Sequence, residues 1–157
     1  MNYQQPAKYL VGKDPKYNNK YKTPVLTAGK SFVLGYTNQT EGIYNANINN
    51  PVIIFDDFTC DNKWVDFDFK IKSSAIKILK PFDENIINLK FVYYWMQVNI
   101  NQTSNHKRHW IQDTSSKLIT LTSLSIQNKI VDFLDNFEQT IIDLNIKLLK
   151  EVELINK

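Results

Sequence analysis

The sequence predicts an α+β protein: a small strand-rich head with one aromatic helix, followed by a long C-terminal amphipathic coiled-coil helix. Three observations carry this expectation. Short β-prone runs separated by turn residues crowd the first half of the chain. A stretch holding Phe91, Tyr93, Tyr94, Trp95 and Met96 is spaced for one helix. Then Ile130, Leu134, Phe137, Ile141, Leu144, Leu148 and Ile155 recur on an a/d heptad line without Gly or Pro. At about 1.5 Å per residue, a helix over 125–157 is close to 50 Å long, beyond the width of a domain this small. A helix that long needs a partner.

Pro24 to Thr27 reads as a short strand, Ala28-Gly29-Lys30 as a turn, and Phe32 to Tyr36 as a second strand closed by Thr37-Asn38-Gln39. Val52-Ile53-Ile54-Phe55 is a continuous apolar run, the pattern of a strand covered on both faces. Trp64 to Lys72 alternates. Val65, Phe67, Phe69 and Ile71 fall on one face and Asp66, Asp68, Lys70 and Lys72 on the other, which predicts one half-exposed strand. Ala75 to Leu79 is the next strand, stopped by Pro81. Asp83 or Asn85 is the expected cap of a helix from about Ile86 to Asn99. Lys117 to Leu121 reads as a last strand, and Ser123 as the cap of the long helix. The division is a head over 1–122 and a helix over 123–157.

At 157 residues the chain is long enough to bury a core without disulfides or metal. A hydrophobic share of 43% argues against disorder. The lone Cys60 excludes an intramolecular disulfide and a multi-Cys metal site, and fits a reducing compartment. The sequence shows no leader pattern and no apolar run of about 18 residues, so a soluble cytoplasmic protein is expected. Net charge is +3 but unevenly placed: residues 1–40 carry six Lys against Asp14, whereas 126–157 carry four Lys against six acids. A basic head favours a polyanion. Its bland counterpart is that Lys13, Lys16, Lys20 and Lys22 form a solvated loop.

Three candidate chemistries stand against simpler accounts. Asp57 at the end of an apolar strand, with Asp68-Phe69-Lys70 on the next, has the acid-x-Lys spacing of a Mg²⁺ nuclease. An alternating-charge surface strand explains the same residues. Cys60 lacks a neighbouring His and reads as a small buried hydrophobe. His106 and His109 lack an evident third metal ligand. They read better with Lys107, Arg108 and Trp110 as a basic, stackable surface in which Arg108 could fork onto a guanine edge. The alternative is a loop with Trp110 anchored in the core and its charges wet. The isolated Gly12, Gly29, Gly35 and Gly42 match no phosphate-binding spacing. On the long helix, Val131, Phe133, Ile142, Ile146, Leu149 and Val152 lie off the seam, so the head or a further helix should cover part of it.

The order of several segments resembles a known family. Thr23-Pro24-Val25-Leu26-Thr27-Ala28-Gly29-Lys30, Leu34-Gly35-Tyr36-Thr37 and Pro51 through Thr59 resemble the target recognition domain of type I restriction-modification specificity subunits. So do Lys72-Ser73-Ser74-Ala75 leading into Ile76 to Leu79, and Arg108-His109-Trp110-Ile111. Leu121 to Val131 resembles the start of that family's conserved spacer helix, with Thr122-Ser123 where paired prolines are common. The family's usual first strand is not evident before Pro6. The resemblance implies a half-subunit with one recognition domain and one helix, where family subunits carry two of each.

It also implies a non-catalytic reader of one half of a bipartite DNA target. Methyltransferase subunits would dock on it and bring S-adenosylmethionine, none being held by this chain, and a restriction subunit would join. The second helix would come from another copy or another half-subunit, through Ile130, Leu134, Phe137, Ile141, Leu144, Leu148 and Ile155. The residues expected at DNA are Lys30, Tyr36, Thr37, Asn38, Thr59, Lys63, Lys72, Ser74, Lys107, Arg108 and His109. An assembly-only module that reads no sequence is the main alternative.

Overall fold

Two sheets and a helix stack in three layers in the computed structural model, which describes residues 1–12, 17–27, 31–103 and 107–155. The strands are β1 (Asn2–Gln4), β2 (Thr23–Leu26), β3 (Val33–Thr37), β4 (Val52–Asp56), β5 (Asn62–Val65), β6 (Lys70–Ile71) and β7 (Ile76–Lys80). The helices are α1 (Leu89–Asn99) and α2 (Leu124–Ile155). One sheet has the order β1-β7-β4-β5 and is antiparallel throughout. The other has the order β3-β2-β6, with β6 parallel to β2.

β4 is central, and every one of its residues is buried. Its alternation divides the core. Val52 and Ile54 join Leu26, Val65, Phe69, Ile71, Ile76 and Ile78 between the two sheets. Ile53 and Phe55 join Leu79, Ile87, Val92, Met96, Ile100 and Trp110 beneath α1. A continuous apolar strand is what a layer covered on both sides requires. At the end of β4 the chain reverses through Asp57–Asp61. Cys60 sits there at φ 60 and donates its N–H to the Asp56 carbonyl at 2.9 Å. Its side chain is buried, which pushes the thiol pKa up.

Several expectations need correction. The alternating segment from Trp64 to Lys72 is not one strand, because β5 edges the first sheet and β6 edges the second. The chain crosses between sheets at Asp66–Phe69, so a single period-2 pattern has no single face to refer to. Phe67 is consequently exposed, and Lys70 is buried. The Lys70 amine donates to the carbonyls of Glu41, at 2.5 Å, and Gly42, at 3.1 Å. Gly42 has φ +61, and a Cβ there would sit 2.5 Å from the Lys8 carbonyl oxygen.

The expected strand at Lys117–Leu121 is not formed. Leu118 is 93% exposed and only Ile119 packs against the cluster beneath α1, so the segment adds one side chain to the core without pairing into a sheet. The expected cap of α1 also moves. Asp83 closes an earlier turn by accepting the Ile87 N–H at 3.0 Å, while the Asn88 side chain caps α1 by accepting the N–H groups of Lys90 and Phe91. β1 supplies a strand before Pro6, paired to the edge of β7. The expected α+β class, the doubly covered β4 and the long terminal helix all agree with the structure.

Candidate functional site

The end of the first sheet gathers a charged cluster built on Asp57. Register places Phe55 opposite Lys77, so Lys77 points under the α1 layer, where it is 1% exposed. Its amine lies 3.0 Å from Asp57 Oδ2. Asp57 Oδ1 accepts the Trp110 N–H at 2.7 Å, and the Asp57 carbonyl accepts the His109 N–H at 2.9 Å. Arg108 Nη1 stands 3.6 Å from Oδ2, and its guanidinium lies over the Phe58 ring at 5.6 Å. Burial pushes the Asp57 carboxyl up, but the Trp110 N–H, Lys77 and Arg108 outweigh it and hold its pKa below the ordinary value.

The loop after Arg108 is held by identifiable contacts. Trp110 opens a π-helical turn, Trp110–Thr114, and is buried against Phe55, with the Tyr3 ring on its edge. His109 Nδ1 lies 3.0 Å from Asp113 Oδ2. Thus Trp110 anchors in the core while Lys107 and Arg108 stay exposed. In the nuclease arrangement weighed from sequence, Asp57 and Lys70 would both be needed free. Here the Asp57 carboxylate is taken up by Lys77, Arg108 and the Trp110 amide, and the Lys70 amine by two carbonyls.

The structure brings some expected residues together and separates others. Thr59 lies in the Asp57–Asp61 turn, where its hydroxyl donates to Asp56 at 2.6 Å and its carbonyl accepts the Thr103 N–H at 2.9 Å. Lys63 follows, paired with Asp61 at 3.0 Å. Lys72 and Ser74 are exposed beside this turn. The Asp57 N–H donates to the Ala75 carbonyl, and the Lys72 N–H donates to the Leu26 carbonyl. With Lys107, Arg108 and His109, these residues line one end of the head.

Tyr36, Thr37 and Asn38 sit at the far end of β3, since Thr37 pairs with Thr23 whereas Leu26 pairs with Val33. Tyr36 and Asn38 are exposed. Thr37 is 1% exposed, and its hydroxyl accepts the Gln39 N–H, which makes it a turn residue rather than a surface contact. Lys30 and His106 lie outside the described residues.

Two features escaped the sequence reading. Lys77 interrupts the apolar run Ala75-Ile76-Lys77-Ile78-Leu79, and Asp57, just past the end of the neighbouring strand, is its counter-charge. A lone cation inside a buried strand was the available signal. The second is a polar joint between head and helix. Gln127 is fully buried. Its Oε1 accepts the Asn88 N–H at 3.0 Å, and its Nε2 donates to the carbonyls of Ile86 and Thr122, both at 2.9 Å. Asn88 also bonds Asn128 at 2.8 Å. One turn on, Val131 is buried, and further along Asp135 receives Lys90 at 2.8 Å and the Tyr94 hydroxyl, which lies 3.1 Å from Glu138. Burial and these two carboxylates push the Tyr94 pKa well above its ordinary value.

Gln127, Val131, Asp135 and Glu138 form one stripe facing α1. Every described side chain from Asn136 to Ile155 is exposed, so α2 leaves the head after its first few turns. On the seam, Leu134 is half-buried, and Ile130, Phe137, Ile141, Leu144, Leu148 and Ile155 are exposed. No helix among the described residues is long and apolar enough to cross a membrane.

The layered head with its projecting helix shares its fold with type I restriction-modification S subunits of known structure. The S subunit structure from M. genitalium superposes with a TM-score of 0.65 at 15% identity, over 91% of this chain and 38% of that one. A chain from a structure describing complex assembly and conformational transition of the type I R-M system gives a TM-score of 0.54 at 13% identity, over 91% and 39%. The chain belongs to the type I restriction modification DNA specificity domain family, whose pattern matches residues 7–154. It is 50% identical over 155 residues to the EcoR124I/EcoR124II type I restriction enzyme specificity subunit of Escherichia coli, across 93% of this chain. The chain spans 38% of that relative's length.

Proposed function

We propose that this chain reads one part of a bipartite DNA target within a type I restriction-modification complex and catalyses nothing itself. The observation that carries this reading is the family match, which spans head and helix over residues 7–154. The charged end of the head supports it. Lys72, Lys107 and Arg108 supply phosphate-directed cations, and the exposed Ser74 lies among them as a short polar group suited to base edges, whereas Lys63, Thr59 and His109 are engaged by Asp61, Asp56 and Asp113. Methyltransferase subunits, which bring S-adenosylmethionine, and a restriction subunit are the expected partners. The exposed seam of α2 pairs with a second such helix, from another copy of this chain or from another half. Two heads are then held a fixed distance apart.

The test is the DNA preference of the methyltransferase complex assembled with this chain. A complex that shifts one DNA sequence in preference to others, with an affinity that falls steeply with salt, supports the reading. Replacing Lys72 or Lys107 by Ala should lower the slope of log K against log salt by about one each, with little change in preference. Intact methyltransferase binding without any preference establishes the assembly-only module instead. Sequencing host methylation with and without the gene identifies the target.

A further inference from the structure

We infer that Asp57 is a positioning residue for DNA reading: it fixes Arg108 in orientation without neutralising it, because the buried Lys77 carries the compensating charge. The inference rests on the proposed DNA-reading function and adds the residue that reads a base edge and the device that aims it.

One carboxylate, Asp57, meets two cations, Lys77 at 3.0 Å and Arg108 at 3.6 Å. The closer cation is buried with the carboxylate, while the Arg108 side chain is 57% exposed. The cluster therefore keeps one net positive charge, and the member reaching solvent displays it. Without Lys77, Arg108 would be spent as the counter-ion of a buried acid.

Geometry adds the aim. The two backbone N–H groups after Arg108, those of His109 and Trp110, are both held by Asp57, at 2.9 and 2.7 Å. The Trp110 side chain is locked in the core. The guanidinium is steadied on one side by the Phe58 ring at 5.6 Å. A planar fork with the backbone after it held, a ring under one face and a carboxylate 3.6 Å from one nitrogen is organised for bidentate contact with a base edge, for which guanine N7 and O6 are the matching acceptors. A cation serving only as phosphate anchor needs no such support; among the described residues the exposed Lys72 and Lys107 amines have no ring or carboxylate beside them.

The test measures preference for target over non-target DNA in the assembled methyltransferase complex. Arg108→Ala should lower that preference by about tenfold or more, and Arg108→Lys, which keeps charge but not the fork, should fail to restore it. Asp57→Asn alone strands the Lys77 charge in the core. The informative variant is thus Asp57→Asn with Lys77→Met, which removes both buried charges and leaves an acceptor for the Trp110 N–H. Its preference should fall toward that of Arg108→Ala, and adding Arg108→Ala to it should change nothing more. Phe58→Leu, which keeps the core and removes the stacking face, should give a smaller loss in the same direction. It decides the matter if the double variant does not fold.

Full preference in the folded double variant, or in Phe58→Leu where the double variant is unfolded, overturns the positioning role. Full preference in Arg108→Ala overturns the assignment of Arg108. A wild-type complex with no preference at all removes the DNA-reading function itself, and this inference with it.

Discussion

Replacing Gln127 by Ala tests whether a single buried amide welds the recognition head to the helix. The side chain is fully buried, and all its partners are backbone groups: the Asn88 N–H and the carbonyls of Ile86 and Thr122. Alanine removes three hydrogen bonds and leaves three part-buried main-chain groups without this partner. A hydrogen bond contributes about 0.5–1.5 kcal/mol net, and an orphaned buried donor or acceptor costs about 1–3 kcal/mol. Water re-entering the small void recovers part of this, so about 2–4 kcal/mol is expected, a large share of a typical domain's stability. Urea unfolding followed by the fluorescence of Trp64, Trp95 and Trp110 reads it directly, at fixed chain concentration. The control is Asn128→Ala, whose bond to Asn88 is solvent-exposed and should be worth less than about 1 kcal/mol. A loss below about 0.5 kcal/mol for Gln127→Ala, or one no larger than the control's, refutes the weld.

The other predictions concern separate parts of the molecule. Gly42→Ala should destabilise by more than about 1 kcal/mol in the same assay, because its positive φ and the nearby Lys8 carbonyl both exclude a Cβ. Gly12→Ala, which meets only the flexible end of Gln39 at 3.1 Å, should cost less. The raised Tyr94 pKa makes its stabilisation complete below the ordinary value of 10.0 and lost as pH rises past it, since the unfolded tyrosine ionises first. Unfolding measured from about pH 9 to 11 should show a steeper loss for the wild type than for Tyr94→Phe. Leu144→Asp should abolish self-association seen by sedimentation on the order of tens of micromolar while leaving the head folded. A wild-type chain already monomeric there, and unchanged by Leu144→Asp, counts against pairing through the seam.

What was legible in the sequence followed from covering. β4 is enclosed on both sides, so Val52-Ile53-Ile54-Phe55 could only be a central strand, and the seam of α2 repeats long enough to be read without ambiguity. The misread segments lie where one pattern serves two environments. Between Trp64 and Lys72 the alternation persists while the chain changes sheets. That put Lys70 on the wrong side, as it bonds to carbonyls that no local pattern reveals. β1 holds three exposed residues, Asn2, Tyr3 and Gln4, and exists only because β7 offers a free edge. Lys117–Leu121 has the composition of a strand but joins no ladder, and only Ile119 packs on the core. At the site, Arg108 and Lys107 were visible as a basic cluster. The Asp57–Lys77 pair beneath them depends on the register between β4 and β7, a non-local quantity.

The free-standing part of α2 has a consequence for the supply of the protein. Past Glu138 nothing among the described residues covers the helix, and an isolated helical segment of that length is marginal in water. On the proposed pairing with a second helix, its order comes from assembly. Dilution should open it to proteases while the head stays closed, and near-stoichiometric partner should protect it. Chains made in excess of their partners would be the ones clipped first, which turns a structural rod into a gauge of complex stoichiometry.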